Sequence, residues 1–578
     1  MVSSTRFSAV IKDRIEARLR FLYGAQQAPR LTLQLLEKLQ DFRPQTPRSN
    51  DKRWNQQDNV LITYGDSLRQ SGEKPLQTLH RFLKEYLSGV IDSVHILPYF
   101  PYSSDDGFAV IDYTRVNPRL GTWEDIETIA RDFKLMTDLV INHVSSQHRW
   151  FQNFLKNRDP GRDYFIEVDP DTDLSMVVRP RTHPLLTRFE TIRGPKWVWT
   201  TFSADQIDVN FQNPKVLFEF LDILLLYLNK GSQKIRLDAI AYLWKKIGTP
   251  CIHLPETHEV VKLLHDVVDQ VAPATVLITE TNVPHQENIS YFGNGDEAHV
   301  VYQFPLPPLV LHAFYHADAR RLTDWAKQLE PPPAGCTFLN FLACHDGIGL
   351  RPLEGLVPQA EINALAEAMK SYGGLVSMRT NPDGSQSPYE LNITWFSAMQ
   401  GTCHGPDEFA VQRFLCSHAI MLALQGIPAV YILSLFATPN DTEGVEKTGA
   451  PRAINRHKWS CEELLPLLKN PKTPQAQALK ELTRLLSLRR RQPAFHPDSP
   501  QTILDLGAGI VAVKRQSQKA SQTILALHNV TPNRIKLRLP DGIWYNLLNN
   551  HRASLTLTLH SYQVFWLLEQ SNGKPFPT

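Results

Sequence analysis

Arg236 and Asp238 stand two residues apart in the apolar run Lys234 to Tyr242, and together they can do chemistry. Alternate side chains of a strand share a face, so the guanidinium can hold the carboxylate ionised and fix its direction. A nucleophilic aspartate is prepared in this way, and so is an ordinary strand-end ion pair. Three further segments decide between them. Apolar runs elsewhere end in Asp138 to His143, in Glu280 and in His345-Asp346. If those ends converge, Asp238, Glu280 and Asp346 share one pocket, and their repulsion pushes their pKa values apart. One carboxyl then stays a proton donor near neutrality while another stays ionised. An acid at a leaving oxygen and a carboxylate opposite it are what cleavage of a glycosidic bond requires. The sequence has no Walker loop, Gly-x-Ser-x-Gly elbow or His-Glu-x-x-His helix, which weakens phosphate-cradling, serine-esterase and zincin readings.

Converging strand ends imply a barrel. Eight short apolar runs, beginning at Val60, Val94, Leu135, Ile235, Val276, Val300, Phe338 and Ile427, alternate with amphipathic helical segments. This is the pattern of a closed (β/α)8 TIM barrel, whose chemistry sits at the C-terminal strand ends. Two intervals are too long for loops and read as an inserted domain after strand 3 (144–208) and an insert after strand 7 (347–403). The catalytic barrel is expected over 59–143 and 209–495. Residues 1–58 read as a helical N-terminal extension and linker, with helical periodicity from Ser8 to Phe42 and a polar stretch from Arg43 to Asp58. From 496 to 578 the texture is β-branched and alternating, as expected of a C-terminal β-sandwich.

Composition narrows the class. The 578 residues hold 42% hydrophobic and 21% charged side chains, a soluble globular profile with enough apolar material for a large core. Lys+Arg of 61 against Asp+Glu of 59 argues against a nucleic-acid surface. The six cysteines form no CxxC pair, so neither zinc nor a disulfide framework is indicated. Charges interrupt the first twenty residues, and no apolar run is long enough to span a bilayer. A cytoplasmic protein without membrane or nucleic-acid partners is the expectation; the sequence leaves the oligomeric state open.

The segments DLVINH, RLDAIAY, ITETN and CHDGIG, in that order, resemble the α-amylase superfamily of glycoside hydrolases. The resemblance implies Asp238 as nucleophile, Glu280 as general acid and then base, and Asp346 as the carboxylate supporting the distorted sugar. Arg236, His143 and His345 match positions lining the glucose subsite. Net retention follows from two inversions. Asn142 matches a position that can serve as a calcium ligand; with no oxygen-rich cluster nearby, no metal is expected.

A narrower resemblance, to the sucrose phosphorylase branch, rests on HILPYFPYSSDDGFAVIDYTRVNPRLGTWEDI, RPRTHPLL and PRAINRH. It implies Asp105 on the outer glucose hydroxyls, Phe108 as an apolar platform, Arg452 as a second hydroxyl ligand, and Arg181 as the arginine a mobile loop brings to phosphate. Read alone, Arg179 and Arg181 are surface charges; their position in the insert after strand 3 brings the phosphate reading level with that one. The N-terminal extension and the segments DLSMVVRPRTHPLL, KWVWTTFSADQIDVNF and NPDGSQSPYELNITWF are closer to the glucosylglycerate and sucrose 6′-phosphate phosphorylases of that branch. A retaining phosphorylase giving α-D-glucose 1-phosphate is therefore the expectation, with phosphate as co-substrate and no cofactor. Glucosylglycerate is the favoured glucoside, followed by sucrose or its 6′-phosphate. A hydrolase or transglucosidase is the alternative, and a silent binding protein on the same barrel the alternative of another class. Arg351 reads equally as a ligand for an anionic acceptor or as a rim salt bridge, and Trp197 and Trp199 read as lid core ahead of sugar-stacking residues.

Overall fold

The computed structural model describes residues 7–42, 53–380 and 385–570. The apolar runs form parallel strands β1 (Val60–Thr63), β2 (Ser93–Ile96), β3 (Lys134–Val140), β4 (Ser232–Asp238), β5 (Val276–Thr279), β6 (Val300–Tyr302), β7 (Thr337–Asn340) and β8 (Ile427–Tyr431). Each pairs with the next, and β8 returns to β1, closing the expected (β/α)8 barrel. Almost every strand residue is buried, because barrel filling covers one face and helices the other.

The register of β3 on β4 places the chemistry. Asp138 stands level with Arg236, and Val140 with Asp238. Side chains level on neighbouring strands point to the same side, so Asp138 and Arg236 meet inside the barrel and bond. Period two also puts Lys234 on the inner face, where its Nζ reaches Asp58 at 2.9 Å. Ile235 and Leu237, facing outward, are fully buried under helices.

Two strand ends differ from expectation. β3 stops at Val140, and His143 begins a separate strand, His143–Ser145, pairing antiparallel with Gln206–Asp208. Its backbone hydrogen bonds go to the insert, so it leaves the barrel ladder. β7 stops at Asn340, and His345-Asp346 lie in the following loop. The apolar run continues through Phe341, which packs edge-on against Tyr302 and Phe304, so packing beyond the strand end imitates strand.

The insert after β3 carries a hairpin, Leu186–Thr191 with Gly194–Trp199. That after β7 carries a helix, Gln359–Ser371, and a three-stranded sheet built on Leu375–Thr380 and Gln386–Asn392. At the N-terminus, α1 (Ala9–Tyr23) starts with Ser8 Oγ accepting from Ile11 N at 3.3 Å. It packs with α2 (Ala28–Asp41) and against barrel helix α3 (Pro255–Val271). Arg18, buried on α1, joins Asp266 and Glu259 of α3 at 2.5 and 3.0 Å. Part of the expected linker, 43–52, lies outside the described residues.

The C-terminal region is an antiparallel sheet of β9 (Gln501–Leu504), β10 (Ile510–Gln516), β11 (Thr523–Asn529), β12 (Trp544–Asn546), β13 (His551–Arg552) and β14 (Val564–Glu569), in the order β9-β10-β11-β14-β12-β13. Alternation divides its two faces. Ile510, Ala512, Leu525 and Leu527 share an apolar cluster with Leu557 and Leu559 of a separate two-stranded ribbon. Val511, Val513, Ile524 and Ala526 belong to the main core with the barrel. The ribbon thus closes the outer face in sandwich fashion. Among the described residues no helix is long and apolar enough to cross a membrane.

Candidate active site

Asp238 ends β4, and Ala239 turns the chain off the rim in the left-handed region (φ 50°), a conformation costing a non-glycine residue on the order of 1 kcal/mol. Arg236, two residues earlier and 2% exposed, is the hub. Its Nη1 lies 2.8 Å from Asp238 Oδ1 and also bonds Asp138, while Nη2 is 3.8 Å from Glu280 Oε2. His95 Nε2 holds the other Asp138 oxygen at 2.6 Å. Glu280, directly after β5, accepts the Ala239 N–H at 3.1 Å. One guanidinium thereby serves two strand-end carboxylates, tightly for Asp238 and loosely for Glu280.

Burial raises the pKa of both carboxyls. Arg236 opposes the rise at each, while Glu280 and Asp138 add to it at Asp238, and Asp346 adds to it at Glu280. The pair therefore retains a proton above the usual carboxylate range. Burial pushes Asp238 up more strongly than Glu280, while the shorter Arg236 contact favours the charge on Asp238 and so the proton on Glu280. Asp346 is the opposite case. Burial works to raise it, but Arg452, His345, Arg456 and Arg236 outweigh burial and hold it below the usual range. Asp138 is pulled down to about 2, His95 and Arg236 overcoming its burial.

Beside the carboxylates, Asp105 and Asp106 both adopt left-handed backbone (φ 51° and 47°). Gly107 follows at φ +117°, where a Cβ would lie 2.5 Å from the Pro98 carbonyl oxygen. Glycine is required there. The turn delivers Phe108, whose ring stacks on His345 at 4.6 Å, and whose carbonyl accepts from His143 Nε2 at 2.9 Å. Burial lowers both imidazoles, His345 to about 3, so they face the pocket neutral.

Nine of the eleven residues singled out from sequence line one cavity of about 80 Å³: Asp238, Glu280, Asp346, Asp105, Phe108, His143, His345, Arg452 and Arg181. Arg236 lies beneath it, and Arg351 does not reach it, standing 3.6 Å from Glu287. An outer cavity of about 750 Å³ adjoins, sharing Asp105, Arg181, Tyr389 and Arg452 with the inner one. At that junction Arg181, from the first insert, sits over the Tyr389 ring of the second at 5.7 Å. Arg179 turns away to the His183 carbonyl. Trp199 is buried with Leu185 in an apolar cluster that the insert shares with Cys251 from the segment after β4, and neither it nor Trp197 lines either cavity.

Sequence reasoning missed Arg456 and Glu390. Arg456 Nη1 bonds Asp105 at 3.1 Å and Asp106 at 2.9 Å, and its Nε holds the His345 carbonyl at 3.0 Å. Arg452 instead contacts Asp346 and is clamped by buried Glu390 at 3.0 and 2.7 Å. PRAINRH offers two arginines four apart, and nothing in their spacing says which one faces Asp105. The available signal is Asn455, whose amide donates to the Cys344 carbonyl at 2.7 Å and pins this turn to the catalytic loop.

The family described as "Alpha amylase, catalytic domain" matches residues 82–332. A glucosylglycerate phosphorylase of Spirochaeta thermophila is 46% identical, the match covering 96% of this chain and 98% of that one. One of Escherichia coli is 43% identical over 96% and 100%. This chain belongs to the α-amylase family. Within it, the relatives place the chain among the glycosyl-transferring phosphorylases. Among solved structures, sucrose 6F-phosphate phosphorylase from Thermoanaerobacter thermosaccharolyticum superposes with a TM-score of 0.71 at 28% identity, over 82% of this chain and 94% of that chain.

The calcium site implied by the α-amylase family can be tested at Asn142. Its Oδ1 accepts from Lys245 Nζ at 2.6 Å, and the same ammonium lies 2.5 Å from Asp208. Lys245 is 2% and Asp208 0% exposed in their side chains. Asp208 also takes the Thr201 N–H at 2.6 Å and the Asn142 amide at 2.9 Å. A buried cation already neutralises these oxygens, so they do not fit calcium.

Proposed function

We propose that this α-amylase family member is a retaining phosphorylase that cleaves glucosylglycerate with phosphate, releasing glycerate and α-D-glucose 1-phosphate. The observation that carries this reading is the meeting of Asp238, Glu280 and Asp346 with Arg181 in one small cavity. The names of the two relatives, which align end to end with the chain, support the choice of glucoside.

The geometry supports the following course. Glu280, holding the proton, gives it to the glycosidic oxygen while Asp238 Oδ attacks C1 from the opposite face. The C1–O bond breaks, glycerate leaves, and a β-glucosyl ester forms on Asp238. A phosphate oxygen then attacks C1, its proton goes to the Glu280 carboxylate, and the ester bond breaks with the second inversion. One guanidinium touching both carboxylates keeps them close, as a retaining mechanism needs. Asp346, ionised, faces the positive charge that develops at C1. Asp105, Arg456, His143 and His345 hold the glucose hydroxyls, and Phe108 supplies an apolar face. Arg181 at the junction of the cavities takes the phosphate, and a narrow cavity limits competing water. The reaction needs phosphate as co-substrate and no cofactor, and we read the protein as cytoplasmic.

Incubating the protein with phosphate and, separately, glucosylglycerate, sucrose and sucrose 6′-phosphate tests this reading. Glucose 1-phosphate should form fastest from glucosylglycerate. Free glucose as sole product would replace phosphorolysis with hydrolysis or transglucosylation, and inactivity on all three would favour a silent barrel.

A further inference from the structure

Away from the carboxylate pocket, helix α4 (Leu306–His316), which follows β6, carries His312 and His316 four residues apart and so on one face. Helix α5 (Gln359–Ser371), in the insert after β7, brings Glu361 against them. One ring nitrogen of each histidine and one oxygen of Glu361 lie within 4.8 Å of one another. His312 is 3% exposed, and its Nε2 stands 2.8 Å from Glu361 Oε2. His312 Nδ1 and His316 Nε2 are buried without a hydrogen-bond partner. Arg321 engages the other Glu361 oxygen, Oε1, at 3.4 Å, so Oε2 is the one turned to the histidines.

Two imidazoles and a carboxylate this close are a donor set for a borderline divalent ion, which bonds nitrogen and oxygen at about 2.0–2.2 Å and fills its remaining position with water. A second such group shows what an unsuitable one looks like. His265, Asp269 and His299 are equally near one another. There Leu277 N–H donates to His299 Nδ1 at 3.0 Å, which leaves the proton on Nε2, the nitrogen facing Asp269. Arg53 also occupies the Asp269 carboxylate at 2.5 Å. At His312 and His316 neither obstacle is found among the described residues: no backbone donor there bonds either ring, and Arg321 is on the far oxygen of Glu361.

We propose that His312, His316 and Glu361 bind zinc or a similar transition-metal dication. The ion would join a barrel helix to the insert after β7. Helix α5 packs on the hairpin that presents Tyr389 to the cavity and Glu390 to Arg452, so the metal would brace the support of Arg452 without touching substrate.

The test is calorimetric titration of Zn²⁺ into the untagged full chain after chelator treatment, with Tm measured in parallel. His316→Ala and Glu361→Gln serve as two variants on different helices, neither in the cavity. The wild type should bind one equivalent more than either variant and gain about 2 °C or more in Tm on saturation, a gain both variants lose. Wild-type binding no different from that of both variants, or no binding at micromolar zinc, would overturn the proposal.

Discussion

Arg236 lies 2.8 Å from Asp238 and 3.8 Å from Glu280, so the cation favours the ionised form more at Asp238 than at Glu280. The proposed roles rest on that inequality, and substitutions should separate them. Asp238→Asn removes the oxygen proposed to attack C1 and should lower kcat by about 10⁴-fold or more, with the fold intact by circular dichroism. In the proposed course Glu280 carries its proton in the first step, and its raised pKa means activity should fall only as pH rises through that raised value. Glu280→Gln should therefore abolish the alkaline limb of the kcat/KM profile along with most activity; an unchanged limb would assign the proton elsewhere. Arg181 makes a separable contribution. Arg181→Ala should raise the KM for phosphate about tenfold or more and increase the share of free glucose, leaving the KM for the glucoside nearly unchanged.

Secondary-structure elements deliver these residues, and what the sequence disclosed about them was uneven for physical reasons. Period two along Lys234, Arg236 and Asp238 is local, so their common inward face was readable. Buried parallel strands read as unbroken apolar runs, so all eight were visible. Where a strand stops is set by distant hydrogen-bond partners, which is why His143 moved to a ladder with Asp208 and His345 to a loop. The choice between Arg452 and Arg456 depended on which acid each meets across more than a hundred residues of chain, and no local pattern carries that. Lys245 was silent for the same reason. Its ammonium neutralises Asp208 inside the first insert's junction with the barrel, so Lys245→Ala should cost about 3–5 kcal/mol by leaving a buried carboxylate without its counter-charge. Denaturant unfolding measures that loss, and added calcium should leave the wild-type Tm unchanged. A calcium-dependent Tm in the wild type would contradict the assignment of that site to an ammonium.

At the scale of the whole molecule, both inserts reach over one end of the barrel and the N-terminal helices brace its side. Arg181 and Tyr389 come from different inserts and meet at the boundary between the inner and outer cavities. Among the described residues the helical extension lines neither cavity, and its buried Arg18 faces two acids of α3. Arg18→Ala should accordingly lower Tm by several degrees while kcat at low temperature stays within about twofold of wild type. The proposed reaction is two inversions at one carbon, the first by Asp238 and the second by phosphate. Proton NMR of the first product formed from glucosylglycerate and phosphate reads that directly through the anomeric coupling. The account predicts α-D-glucose 1-phosphate; β-D-glucose 1-phosphate, the product of a single displacement, would contradict it.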